Sequence, residues 1–285
     1  MPHTDALPGK APAMTKSVAL PRPDLLASRA RVLALLDRLT PVLAFAALLA
    51  AWEGACRLFA VPSFLLPAPS AIVAAGVKVP AEQWMGHIWA TLRVALMGYL
   101  LAIAVSIPLA VALSSSRFLS RTLYPLLVVI QSTPIVAVAP IIVVTLGAGD
   151  LPRVVITFLI TFFPIVVSAV TGLLATPEEL VELSRVLKAG RRREITQIRL
   201  PVALPYIFSA LKISTTLAVI GAVVAEFVAA EKGLGFFIAF STSTFKIPQA
   251  FAGLAILVLL SLVLFQSVTW AQRRFLPWTL AKSER

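Results

Sequence analysis

Six long apolar runs, separated by short polar segments, dominate the hydrophobic pattern of this chain. They cover residues 41–59, 88–113, 123–147, 154–174, 206–229 and 251–270, and each holds about 19 to 26 residues. A helix of roughly 20 apolar residues is long enough to cross the hydrocarbon core of a bilayer. The pattern therefore predicts an all-α integral membrane protein with six transmembrane helices, and with both termini on the same side.

The most charged interruption of this pattern lies between the fourth and fifth runs, at residues 176–205. Its start carries helix signals, because Thr176 can cap a helix, Pro177 suits a first turn and Glu179 completes a capping box. Apolar residues at helical spacing then predict one apolar face: Leu180, Leu183, Val186 and Leu187. We name residues 176–205 the docking loop.

Later residues of the docking loop predict where its helices end. Gly190 suits the position after a helix, since glycine adopts left-handed backbone without strain. A second short helix is then predicted from Arg191 to Arg199, ending before Pro201. Two interpretations stay open at this point: the segment docks onto another protein, or it rests on anionic lipid headgroups.

Composition supports a membrane protein and argues against a nucleic-acid partner. The chain is 59% hydrophobic, has a mean hydropathy of +0.93 and is only 13% charged, against roughly 25% in soluble domains. Its net charge of +12 comes from basic residues that cluster beside the apolar runs. Clusters of this kind are typical of the positive-inside rule, so nucleic-acid binding is not expected.

The distribution of these basic residues predicts the orientation. The two termini, the docking loop and the loop at 114–122 hold 18 Lys and Arg residues, whereas the opposite side holds six: Arg57, Lys78, Arg93, Arg153, Lys232 and Lys246. The side with more cations is the cytoplasmic one. The chain is therefore predicted to consist of a cytoplasmic basic tail at 1–35, partly disordered, a six-span transmembrane domain at 36–274, and a cytoplasmic tail at 275–285.

Catalytic motifs are missing from the sequence. It contains no GxxxxGK[ST], GxSxG or HExxH motif, one cysteine (Cys56) and two histidines (His3 and His87) that are far apart. We expect a non-catalytic subunit that binds no cofactor and no metal. Any energy from ATP would have to be supplied by a partner.

Polar residues inside the apolar runs are candidates for a translocation pathway: Gln131, Thr133, Pro134, Ser214 and Glu226. The alternative for each is a hydrogen bond to a neighbouring helix. Glu226, late in the fifth run, could line an outer gate or form an ion pair with Arg93 or Arg153. The ion pair is the interpretation that we favour.

The docking loop resembles the signature loop of binding-protein-dependent ABC importer permeases. That signature reads Glu-Ala-Ala, a glycine four residues after the second alanine, and Ile-x-Leu-Pro. Here Glu182-Leu183-Ser184 stands at the first position and Ile198-Arg199-Leu200-Pro201 matches the last. Both alanines are replaced, and Lys188 stands at the glycine position, two residues before Gly190.

Segments 64–70, 130–134, 225–227 and 233–235 are similar to the branch of this family for nitrate, sulfonates, taurine and thiamine precursors. The resemblance implies a type I importer fold in the bacterial cytoplasmic membrane, with two copies of this chain, two ATPase subunits and an extracytoplasmic substrate-binding protein. It also implies that the docking loop is a coupling helix whose residues contact the ATPase: Glu182, Ser184, Arg185, Lys188, Gly190, Arg191, Arg192, Leu200 and Pro201.

The resemblance leaves the substrate open within that branch: a sulfonate, taurine, nitrate or a thiamine pyrimidine precursor. Two other classes of function also stay open, an ion-gradient-driven secondary transporter and a membrane scaffold that transports nothing. A secondary transporter predicts ion-binding carboxylates at mid-membrane and repeated halves, and neither is evident in the sequence.

Overall fold

The computed structural model describes the backbone of residues 23–279, and the side chains of residues 39–116 and 118–279. The predictions for residues 1–22 and 280–285, within the two terminal tails, lie outside the described residues. The chain forms two units, residues 1–54 and 55–285. The features discussed below lie in the second unit.

Every regular element in the described part of the chain is a helix. The first six are α1 (Pro23–Leu58), α2 (Pro69–Val77), α3 (Ala81–Ser115), α4 (Arg117–Ser132), α5 (Ile135–Leu146) and α6 (Asp150–Leu174). They are followed by α7 (Glu178–Val186), α8 (Arg191–Arg193), α9 (Leu200–Ala229), α10 (Leu234–Ser243) and α11 (Ile247–Phe275). A π-helical segment, Glu194–Arg199, joins α8 to α9, and a 3₁₀ turn, Pro277–Thr279, follows α11. The predicted all-α membrane fold is confirmed.

The third predicted span is interrupted. Among the described residues, five helices are long and apolar enough to cross a membrane, and α4 and α5 qualify only as a pair bent by 93°. The bend falls at Thr133, which has an extended backbone (φ −77°, ψ 123°). The reason is Pro134, which disfavours helical backbone in the preceding residue and donates no hydrogen bond.

The bent pair nevertheless leads from one end of the bundle to the other. Ser115, just before α4, lines the same cleft as the docking loop. Ala148, just after α5, lines a different cleft together with Arg93 of α3. Because these two clefts lie toward opposite ends of α3, the pair fits one broken span, which brings the candidate spans among the described residues to six.

The centre of the bundle is the contact of α3, α6 and α9. Thr157 of α6 lies between Gly98 of α3 and Gly221 of α9. A Cβ atom added at Gly98 would come within 2.6 Å of Thr157, and one added at Gly221 would come within 2.9 Å. Small residues of this kind allow helix backbones to approach closely, which favours helix association in lipid. The three helices therefore have little space between them at this level.

Two segments between the predicted spans contain helices. Helix α2 lies between the first and second predicted spans, and α10 lies between the fifth and sixth. Gly253 of α11 explains how α10 packs, because a Cβ at that position would come 3.1 Å from Ile238 and Phe237. The end of the bundle opposite the docking loop thus carries packed helices.

Candidate functional site

The docking loop carries an uncovered apolar surface. On α7, Val181 and Ser184 are buried, whereas the four apolar residues of the predicted face are 41% to 78% exposed: Leu180, Leu183, Val186 and Leu187. We name these four residues the apolar stripe. Since the rest of the helix surface is polar, α7 is amphipathic, and the described residues leave its apolar side open.

The turn after α7 differs from the prediction at Gly190. That glycine has an ordinary φ of −64° and precedes α8, where its carbonyl accepts hydrogen bonds from Arg193 N (2.8 Å) and Glu194 N (3.1 Å). The left-handed residue is instead Lys188, with φ 53°. The signature places its glycine at this position, so the chain keeps the conformation but not the residue that adopts it most easily.

The predicted capping box is also absent. Thr176 Oγ1 donates to Leu173 O at 3.1 Å, back toward α6, and does not cap α7. The residue before α7 is Pro177, and no side chain caps the helix there. Thr176 therefore closes the end of α6, whereas the sequence pattern assigned it to the start of the next helix.

The predicted second short helix does not end before Pro201. Helical backbone runs from Arg191 to Ala229, 39 residues, so that α8, the π-helical segment and α9 form one rod. Pro201 lies in the first turn of α9, where proline leaves little hydrogen bonding unsatisfied. Arg199 Nε also contacts Glu194 Oε1 at 2.7 Å across the π-helical segment. The docking loop is thus continuous with a membrane span.

A polar cleft of about 720 Å³ lies between the docking loop and the ends of α3 and α6. Three of the predicted coupling residues line it, Glu182, Arg185 and Arg191. Lys188 is exposed outside its lining, as is Arg192. Three of these five coupling residues thus face the cleft and two face solvent, whereas Ser184, also predicted to couple, is buried on α7.

The predicted pathway residues are not brought together. Gln131 and Thr133 are exposed beside the α4–α5 bend, which Pro134 causes. Ser214 and Glu226 are instead buried within the chain. Among the described residues, no hydrogen-bond partner reaches Ser214 Oγ.

A groove that is not among the sequence predictions lies between α6 and α9. It has a volume of about 300 Å³ and is lined by Pro205 and four hydroxyl residues: Ser168, Thr171, Tyr206 and Ser209. We name it the hydroxyl groove. The available signal was the three-residue spacing of hydroxyls on each of two helices that pack together. Polar groups on a span usually face a cavity or another protein segment.

The opposite end of the bundle holds a buried network that we name the outer clamp, formed by His87, Thr91, Glu226 and the backbone of 233–235. Glu226 accepts hydrogen bonds from Thr91 Oγ1 (2.8 Å) and Gly235 N (2.7 Å). Thr91 Oγ1 also accepts from Leu234 N (2.8 Å), and His87 Nδ1 accepts from Gly233 N (3.2 Å). The clamp thus fixes the start of α10 to α3 and α9.

The predicted ion pair of Glu226 with Arg93 or Arg153 is wrong. Both arginines pair with Asp150 at the start of α6, Arg153 at 2.8 Å. Glu226 is only 2% exposed and is bound by uncharged groups. The physical reason is the loop at 233–235, whose backbone N–H groups need acceptors once they are buried.

Comparisons with known proteins agree with the docking-loop signature. Residues 98–280 match the family described as "Binding-protein-dependent transport system inner membrane component". The formylaminopyrimidine transport permease protein ThiX of Halalkalibacterium halodurans is 35% identical over 84% of this chain and 96% of its own length. The riboflavin transport system permease protein RibX of Chloroflexus aurantiacus is 35% identical over 81% of this chain and 87% of its own.

The fold has a solved counterpart. An inward-facing structure of the MetNI methionine ABC transporter aligns with a TM-score of 0.57, covering 69% of this chain and 95% of the matched one at 22% identity. At 22% identity the structural similarity supports the fold alone. The family assignment comes from the sequence matches. This chain is a member of the family of inner-membrane components of binding-protein-dependent transport systems.

Proposed function

We propose that this chain is the permease subunit of an ATP-driven importer, which forms the path for a small nutrient and couples to a separate ATPase. The observation that carries the proposal is the apolar stripe on α7, which the described residues leave uncovered. An amphipathic helix presents such a face to the groove of a partner protein. The ATPase subunit is the partner that the family implies.

The helical rod from Arg191 to Ala229 can transmit a movement of the docking loop into the membrane. The docking loop enters α9 without a break, so a displacement of α7 and α8 moves the hydroxyl groove on α6 and α9. In this mechanism Lys188 and Arg192 contact the ATPase directly. Glu182, Arg185 and Arg191 hold the shape of the docking loop from the cleft.

The path itself would lie between two copies of this chain, with the termini in the cytoplasm and an extracytoplasmic binding protein on the far side. The exposed Gln131 and Thr133 and the hydroxyl groove supply polar groups along it. Polar residues exposed on a single chain would then face the shared path rather than lipid. ATP would be used by the partner subunits, and this chain would perform no hydrolysis.

The substrate belongs to the range that the family branch offers, a sulfonate, taurine, nitrate or a thiamine precursor. We favour a nitrogen heterocycle, in line with the names of the two relatives at 35% identity. The hydroxyl groove supports this choice, because the residues that line it are uncharged. Hydroxyls can bind ring nitrogens and carbonyl groups, whereas an oxyanion would call for cationic partners.

Uptake of labelled formylaminopyrimidine into vesicles, with capture of the ATPase on the tagged permease, tests the proposal. We expect uptake to require ATP, and both uptake and capture to fall when Glu182 and Arg191–Arg193 are replaced by alanine. Alanine at Lys246, a cation predicted on the opposite side, is the control and should change neither. Uptake that persists without ATPase and stops when an ion gradient is collapsed would instead identify a secondary transporter.

A further inference from the structure

An open, charged cleft lies at the end of the bundle opposite the docking loop. It has a volume of about 540 Å³ and is formed by α3, the start of α6 and the segment after α9. Its charged residues are three cations and two carboxylates: Arg93, Arg153, Lys232, Asp150 and Glu231. We name it the outer cleft.

Cations outnumber carboxylates in the outer cleft by three to two. Only six Lys and Arg residues are predicted on this side of the membrane, and three of them line this one cleft. Asp150 pairs with both Arg93 and Arg153, so a single carboxylate is shared by two guanidinium groups. Arg93 retains 48% exposure of its side chain, and Lys232 is exposed. Both can therefore bind an additional anionic group.

The framework behind these cations is rigid. Arg153 is held by Gly149 O at 2.8 Å and by Asp150 at 2.8 Å. Lys232 immediately precedes Gly233, which the outer clamp binds through His87. A Cβ at Gly233 would overlap the carboxylate of Glu226, which shows how closely the segment is packed there. Arg153 and the backbone next to Lys232 are therefore held in place before any ligand arrives, which lowers the entropy cost of binding.

We propose that the outer cleft is a docking site for acidic side chains of the extracytoplasmic binding protein. This inference rests on the proposed function, and it names the surface that receives that partner. The cleft lies at helix ends and in a connecting segment, where a protein arriving from outside makes first contact. The shared Asp150 leaves each arginine partly compensated, an arrangement suited to a peripheral salt bridge with a protein carboxylate rather than to enclosing a free anion.

Charges at the rim of an interface act mainly on association rate and on its salt dependence. The test is ATP hydrolysis by the permease–ATPase complex in liposomes, titrated with substrate-loaded binding protein at low and high salt. We expect Arg93→Gln and Lys232→Gln each to raise the half-saturating concentration of binding protein about threefold to tenfold at low salt. The maximal rate should stay as in the wild type, and the salt dependence should weaken.

A graded series and a matched control sharpen this test. Lys232→Glu should weaken docking more than Lys232→Gln, and Lys232→Arg should restore it, because only the charge matters. Lys78→Gln removes a cation predicted on the same side but outside the outer cleft, and should leave the half-saturating concentration unchanged.

Two results would overturn the inference. One is a half-saturating concentration and salt dependence that stay at wild-type values in Arg93→Gln and Lys232→Gln. The other is a lower maximal rate at saturating binding protein, which would assign these cations to the solute or to the fold. A wild-type complex that no concentration of binding protein stimulates would instead contradict the proposed function.

Discussion

The two ends of this bundle are built in opposite ways. At the docking loop, an amphipathic helix leaves its apolar stripe exposed beside a wide polar cleft. At the outer clamp, the side chains of Thr91 and Glu226 are buried, and both are hydrogen-bonded within the chain. One end has apolar surface that no described residue covers, and the other satisfies its own buried polar groups.

This difference indicates where the chain depends on other proteins. Exposed apolar area is stabilised only when a partner covers it, so changes in the apolar stripe should affect assembly and leave the isolated subunit intact. A buried network contributes to the subunit's own stability. Changes in the outer clamp should therefore lower stability before they affect assembly.

The largest expected effect is at the apolar stripe. The double variant Leu183→Ala and Val186→Ala removes two exposed apolar side chains, and central interface residues contribute about 2 kcal/mol or more each. Two such losses sum to about 4 kcal/mol, so we expect ATPase capture and uptake to fall about 1,000-fold, while the melting temperature in detergent stays within about 2 °C. Leu58→Ala, at a residue of α1 that is more exposed than either of these two, is the control. A lower melting temperature in the double variant would contradict the comparison.

Substitutions in the outer clamp should lower the thermal stability of the subunit before they affect assembly. Glu226→Ala leaves the Thr91 hydroxyl and Gly235 N–H buried without their acceptor, which costs about 3 kcal/mol in total. Gly233→Ala, at φ 131° and against the Glu226 carboxylate, should cost a similar amount. Thermal unfolding in detergent measures both.

Gly86→Ala is the matched control for the outer clamp. Gly86 lies on α3 one residue before His87, with no atom within 4 Å of an added Cβ, and alanine there should stabilise the helix by up to about 1 kcal/mol. If Glu226→Ala melts at the wild-type temperature, the outer clamp is not the stabilising network described here.

A smaller effect is expected at the centre of the bundle, between the two ends. Gly98→Ala introduces a Cβ that would come 2.6 Å from Thr157, so α3 and α6 must separate slightly, at a cost of about 1 to 3 kcal/mol. The double variant with Thr157→Ser, which removes the contacting methyl group, should recover part of the loss. Thermal unfolding of the single and the double variant measures how much stability is recovered. If none is recovered, the contact of the added Cβ with the backbone of α6 accounts for the loss.

The smallest effect is expected at the turn of the docking loop. Lys188→Gly relieves a left-handed residue at φ 53° and should stabilise the subunit by up to about 1 kcal/mol. Gly190→Ala tests the opposite assignment, since that glycine has ordinary backbone and open space around it. If alanine at 190 destabilises the chain more than glycine at 188 stabilises it, the turn assignment is wrong.

The fold class could be predicted because long apolar runs leave few alternatives to membrane-spanning helices. The broken third span illustrates the limit of that reasoning. Pro134 marks a possible break, but Pro108, Pro125 and Pro164 lie inside helices that continue. Whether a proline breaks a span depends on the packing around it, which the sequence pattern does not contain.

Local patterns also failed where tertiary contacts decide the outcome. The sequence predicts an ion pair between Glu226 and an arginine because opposite charges attract. In the structure the Glu226 carboxylate instead accepts hydrogen bonds from Thr91 and from the buried backbone N–H of Gly235. The apolar stripe was predicted from helical spacing, and the structure adds that it is exposed. The hydroxyl groove depends on two helices meeting at one level, which spacing along a single helix does not reveal.

Thr157 sits where α3, α6 and α9 come closest, between Gly98 and Gly221. With little space at that level, the three helices cannot slide past one another there without separating, so a displacement applied to one is passed to the other two. Spin labels placed on α3 and α9 beside this contact should therefore keep one distance in the presence and in the absence of an ATPase subunit.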